Sequence, residues 1–273
     1  MRFARRRRPP ARPRERRHAI TLVPHILTLM GLCAGLTSIR YALDGRYELA
    51  VIFVIAATVL DGLDGRAARL LKCTSRFGAE LDSLADFLSF GVAPALLVYL
   101  WVLHEVKSVG WALALLLAVC CALRLARFNV QSDDPNRPAW MANFFTGVPA
   151  PAGAGLALLP LILSFATQSD SPRIWLLNAA LVVAVSLLMV SQVPTWSIKR
   201  VRIRPEYMLP SLVVVGVIVS ALLTAPWGTL FVGGAIYLLT LPWAVVVAQR
   251  YRRNEPGPIQ TLPSPSDNPQ AGE

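Results

Sequence analysis

Long apolar runs alternate with short polar segments along the chain, and within each run the apolar residues are continuous rather than every second position. A helix crosses the hydrocarbon core of a bilayer with about 20 apolar residues at 1.5 Å each. Eight windows approach or meet that length, at roughly 21–43, 48–65, 82–103, 109–126, 146–167, 173–193, 207–224 and 227–248. The pattern predicts an all-α polytopic membrane bundle of about eight transmembrane helices. A membrane β-barrel is disfavoured, because its strands would alternate apolar and polar residues. Residues 1–20 form a basic tail, 21–248 the membrane domain, and the Pro-rich polar segment 249–273 is expected to be disordered. No internal repeat is visible.

Composition sharpens this picture. The chain of 273 residues is 55% hydrophobic and 16% charged, with a mean hydropathy of +0.51. Disorder requires low hydrophobicity, and a soluble domain carries roughly a quarter of its residues charged. The net charge of +11 does not indicate a nucleic-acid partner, because the bases are sorted by membrane side. With the N-terminus in the cytoplasm, 23 of the 27 Lys and Arg fall on the inner side. Arg46, Lys107 and Arg173 fall outside, and Arg40 lies near the outer end of the first helix. Lys and Arg bias of this kind sets orientation, so both termini are expected in the cytoplasm, on the inner membrane. The Arg-rich leader precedes an apolar stretch longer than the 7–15 residues of a signal peptide and is read as an uncleaved anchor. Its Arg cluster either sets topology only or also attracts anionic lipid, at about 1 kcal/mol per basic residue near the surface. Four Cys without a CxxC pair and three scattered His give no zinc spacing.

The acids are fewer and placed more unusually. Four of the nine Asp lie within 26 residues, at Asp61, Asp64, Asp82 and Asp86, in and beside apolar helices. Ionisable groups there are costly and mark ion or substrate sites. Asp61 and Asp64, spaced i, i+3, share one face at the cytoplasmic end of the second helix. Asp82 and Asp86, spaced i, i+4, share a face at the expected start of the third. The two helices join on the cytoplasmic side, so the faces can meet. Four converging carboxylates repel strongly unless cations lie between them, and oxygen-only ligands suit Mg²⁺ or Mn²⁺. Two such ions suit a displacement at phosphorus. Gly65 and Ala68 clear a surface for a bulky ligand, and Arg69 offers a guanidinium fork to phosphate.

The arrangement Asp61-x-x-Asp64-Gly65-x-x-Ala68-Arg69, eight residues, then Gly78-x-x-x-Asp82-x-x-x-Asp86 resembles the defining pattern of the CDP-alcohol phosphotransferases. The resemblance implies two metal ions held by Asp61, Asp64 and Asp82, with Asp86 contributing and acting as the base that activates the acceptor hydroxyl. It also implies a homodimer, with the CDP moiety over Gly65, Ala68 and Gly78.

Three further stretches are similar to the branch of that family in which CDP-diacylglycerol meets L-serine. They are Asp82 to Pro94, the pair Leu123–Val130 and Phe145–Pro151, and Pro194 to Lys199. Arg124, Arg127 and Asn129 are therefore expected to recognise the carboxylate and ammonium of serine, and Lys199 to hold phosphate or carboxylate. Choline, glycerol 3-phosphate and an inositol phosphate stay open as acceptors. A phosphorylated acceptor needs a further anion pocket, and choline favours an aromatic cage. A non-catalytic membrane scaffold is a further alternative, as is a cation transporter. The latter would place acids near the midplane in repeated halves, whereas these lie at one boundary in one copy. One departure stands out. The branch commonly has Pro-Asn before the Leu-Thr of its first helix, where this chain has Pro24-His25-Ile26-Leu27-Thr28. The bulkier His25 is not placed in the expected site.

Overall fold

The computed structural model describes residues 14–71, 73, 75–132, 144–169, 173–191, 194–196 and 208–253. Lys199, most of the basic leader and the tail from 254 lie outside them.

Helix α1, Arg14–Leu43, runs 30 residues and carries Pro24 within it. Its end is set by Gly45 in the left-handed region, φ +71°. Arg46 N–H bonds Tyr41 C=O at 2.9 Å and Gly45 N–H bonds Ala42 C=O at 3.1 Å. This 6→1 and 5→2 pair satisfies the terminal carbonyls and reverses the chain. Helix α2, Tyr47–Leu70, then returns along α1. Ser38 Oγ donates to Ala50 C=O at 2.8 Å, and Tyr41 stacks on Phe53 with centroids 5.4 Å apart.

Helix α3, Arg76–Asp86, is capped by Ser75, whose hydroxyl oxygen accepts from Gly78 N–H at 3.0 Å. Such a cap is worth about 1 kcal/mol. It moves the helix start six residues ahead of the expected 82, so Asp82 stands in the second turn. A π-helical turn, Phe87–Val92, follows without a break and leads into α4, Ala93–Trp101. A 3₁₀ turn, Leu103–Val106, and Lys107 at φ 49° turn the chain into α5, Lys107–Ser132. Helices α6, Ala150–Ala157, and α7, Leu159–Thr167, meet at a 48° bend. Pro160 in the first turn of α7 has no N–H to continue the α6 ladder. Helix α8, Trp175–Val190, then α9, Met208–Thr224, and α10, Pro226–Arg253, complete the order. The extended pairing among the described residues is one antiparallel ribbon, β1 Phe144–Thr146 against β2 Pro194–Trp196.

Each of the eight apolar windows thus falls on helix, the third on α3 to α4 and the fifth on α6 with α7. Among the described helices, Leu22–Leu43, Arg76–Trp101 and Leu103–Gln131 are long and apolar enough to cross a bilayer alone. The bent pair makes a fourth if it is one span. The core gathers Leu97, Val98, Leu117, Leu161, Val185 and Met189, all essentially buried. Leu212, Val213, Val217 and Leu223 of α9 are exposed, as lipid-facing residues are.

Candidate active site

Helices α2 and α3 bring their acids together across a narrow gap, with α1 packed against both. One carboxylate oxygen from each of Asp61, Asp64 and Asp82 lies within 4.8 Å of the others. Asp86, one turn beyond Asp82, lines the same small cavity with Gly31, Ser89 and Phe90. Asp64 is the most enclosed, 3% exposed, and receives a 2.6 Å hydrogen bond from the Thr28 hydroxyl of α1. The donor set is oxygen only, and a dense cluster of carboxylates needs cations between its members. These residues therefore fit hard divalent ions.

The π-turn beside Asp86 is held at close quarters. Ser89 Oγ donates to Gly31 C=O at 3.3 Å. A Cβ on Gly35 would run into Ser89 itself, and one on Gly91 would stand 3.1 Å from Cys121 Cβ. The two glycines let α1 and α5 close on the turn that follows the fourth acid.

A second, open cleft shares Thr28, Asp64 and Asp82 with the acid cavity. Gly65, Ala68 and Gly78 line it, and His25, Cys73 and Ser75 stand with them. The two glycines have different reasons. A Cβ on Gly65 would meet nothing within 4 Å, so open space stands over it. A Cβ on Gly78 would stand 2.8 Å from His25 Nε2, so its absence seats that ring.

On the far side of the acids stands α5. Arg124 is largely buried, and its guanidinium interacts electrostatically with Asp61 and Asp86. The group lies over the Phe128 ring at 6.0 Å. Its Nε is buried without a hydrogen-bond partner among the described residues. Arg127 instead donates from Nη1 to Val190 C=O at 2.6 Å, tying α5 to the carboxyl end of α8. Asn129 Nδ2 donates to Ser83 Oγ at 2.9 Å, tying α5 to α3 beside Asp82. Arg69 Nε bonds back to Gly65 C=O at 2.9 Å on its own helix. Of the expected acceptor groups, Arg124 stands beside the acids, and Lys199 falls outside the described residues.

Thr28, His25 and Ser75 enter the site without having been expected there. One signal was available: His25 and Thr28 are spaced i, i+3 within the otherwise apolar stretch 22–36, a short polar stripe on one face.

The family model described as CDP-alcohol phosphatidyltransferase matches residues 21–190, and that of CDP-alcohol phosphatidyltransferase 2 matches residues 206–242. The chain is 40% identical over 248 residues to the CDP-diacylglycerol–serine O-phosphatidyltransferase of Mycobacterium tuberculosis (strain CDC 1551 / Oshkosh), covering 90% of this chain and 85% of that relative. The enzyme of the same description from Helicobacter pylori (strain 26695) is 34% identical over 221 residues, 80% and 88% of the two chains. The archaetidylserine synthase of Methanothermobacter thermautotrophicus is 32% identical over 176 residues, 63% and 68% of the two chains.

Proposed function

The chain is an integral membrane protein that belongs to the CDP-alcohol phosphatidyltransferase family, and on that premise we propose that it moves the phosphatidyl group of CDP-diacylglycerol onto the hydroxyl of L-serine. The products are phosphatidylserine and CMP. The observation that carries the reading is the adjacency of two spaces. A four-carboxylate cavity opens beside a cleft floored by Gly65, Ala68 and Gly78, in a chain 40% identical to a serine-using relative.

Asp61, Asp64 and Asp82, with Asp86, would hold two divalent ions, Mg²⁺ or Mn²⁺. Bound there, such ions neutralise charge on the diphosphate and on the leaving phosphate. The chain's own groups supply the rest. The serine hydroxyl oxygen forms a bond to the phosphorus that bears diacylglycerol, and the bond from that phosphorus to the CMP oxygen breaks. Asp86 accepts the hydroxyl proton as the new bond forms, a role typically worth 10²- to 10⁴-fold. Arg124 offers its Nε, which has no hydrogen-bond partner among the described residues, to the serine carboxylate, a charge-assisted bond that choline cannot make. Arg127, Asn129 and Arg69 support the site through the contacts described above. The acyl chains lie between helices open to the bilayer, while serine and the nucleotide arrive from water.

The asymmetry of Lys and Arg supports a cytoplasmic active site on the inner membrane, with both termini inside. The exposed apolar faces are compatible with a homodimer. The deciding experiment supplies purified protein with CDP-diacylglycerol, Mn²⁺ and one alcohol at a time. Serine-dependent CMP release is expected; release with choline, glycerol 3-phosphate or an inositol phosphate but not serine overturns the acceptor.

A further inference from the structure

Two polar side chains line the open cleft without a part in the chemistry above. They are His25 on α1 and Ser75 at the cap of α3, 3.3 Å apart from Nε2 to Oγ. The ring is seated rather than swinging. It meets Phe77 edge-on with centroids 5.6 Å apart, and Gly78 yields the space a Cβ would take.

Counting donors shows what the pair can do. A serine hydroxyl has one proton and two acceptor sites, and a neutral imidazole has one donor and one acceptor. Gly78 N–H already takes one acceptor site of Ser75 at 3.0 Å. If His25 Nε2–H donates to Ser75, the serine proton has no acceptor among the described residues. If Ser75 donates to Nε2, the ring proton sits on Nδ1 and is likewise unmatched there. Either tautomer leaves one donor for an oxygen in the cleft. The acceptor alcohol is not its partner, because Arg124 does not line this cleft and acts from α5. Gly65, Ala68 and Gly78 line the same cleft as His25.

We propose that His25 and Ser75 form a donor pair that binds an oxygen of the ribose-phosphate portion of CDP-diacylglycerol. The proposal rests on the reading that this cleft takes the CDP moiety. His25 is then a nucleotide-binding residue of this chain, at the position where its branch commonly carries Asn.

CMP serves as the probe, with Mn²⁺ present. Its binding to the purified protein is measured by calorimetry, and its inhibition constant against CDP-diacylglycerol by assay, for the unaltered chain, His25→Ala and His25→Asn. Loss of one such hydrogen bond should weaken CMP and raise the KM for CDP-diacylglycerol about tenfold in His25→Ala. The KM for serine, Mn²⁺ affinity and thermal midpoint should hold, and His25→Asn should recover much of the loss. Unchanged CMP affinity in a folded His25→Ala overturns the proposal, as does a loss matched by equal losses in Mn²⁺ affinity and thermal midpoint. If the unaltered chain binds CMP yet releases none with serine, the acceptor reading fails while the loss in His25→Ala still supports the pair. If it binds no CMP, both fall.

Discussion

The Thr28 hydroxyl donates a 2.6 Å hydrogen bond to Asp64 across 36 residues of sequence, joining α1 to the most enclosed acid of the cluster. The bond fixes the orientation of the Asp64 carboxylate, which the proposed cations would need. Outer partners of this kind typically carry 10- to 100-fold in metal affinity. Thr28→Val, which keeps the shape and removes the donor, should weaken Mn²⁺ binding by about that factor. Thr28→Ser should retain most of it. A Mn²⁺ titration of the purified protein followed by electron paramagnetic resonance checks both, and equal affinities in the two variants would refute the orienting role.

The four acids should divide by consequence. Asp64→Asn removes an enclosed member of the three-oxygen set and should abolish both turnover and tight Mn²⁺ binding. Asp86→Asn sits one turn away and should cut kcat by about 10²- to 10⁴-fold, with the fold retained and much of the Mn²⁺ binding preserved. Circular dichroism and Mn²⁺ titration, run beside the CMP-release assay, separate the cases. Unchanged turnover in Asp86→Asn would remove it as the base.

The acid spacing was legible because i, i+3 and i, i+4 are properties of any helix, whatever it packs against. The eight helical units were legible for a similar reason: continuous apolar length does not depend on neighbours. Other features depend on tertiary placement. The start of α3 at Arg76 is the exception, a local cap in which Ser75 accepts from Gly78 N–H ahead of the apolar window. The π-turn after Asp86 is accompanied by close approach at Gly35 and Gly91, which no local pattern announces. Arg127 and Asn129 read as acceptor ligands from the family resemblance and their residue types, while in the fold their hydrogen bonds go to Val190 and Ser83 on other helices. His25 is bulkier than the Asn its branch commonly carries, and that bulk is accommodated where Gly78 lacks a side chain.

Arg124 and Arg127, three residues apart, should therefore respond differently. Arg124→Lys keeps the charge and loses the planar fork with its Nε donor, and should raise the KM for serine by about 10- to 100-fold. The KM for CDP-diacylglycerol should change far less. Arg127→Met removes the bond to Val190 C=O and should lower stability by about 1–3 kcal/mol, read as a lower thermal midpoint, with the KM for serine little changed. A reversal of the two patterns would move the acceptor pocket from Arg124 to Arg127.

Gly65 gives the sharpest separation of ligand space from protein packing. A Cβ there meets no protein atom within 4 Å, and Ala is favoured over Gly inside a helix by up to about 1 kcal/mol. Gly65→Ala should therefore leave the thermal midpoint unchanged or slightly raised. The added methyl would project into the cleft, so the KM for CDP-diacylglycerol should rise and CMP should inhibit more weakly, each by about tenfold. Gly45→Ala is the control, because its φ of +71° costs a side chain about 1–2 kcal/mol. That variant should melt earlier while its KM for CDP-diacylglycerol stays in place. If Gly65→Ala melts earlier and its KM does not move, the space over Gly65 belongs to helix packing and the nucleotide must lie elsewhere.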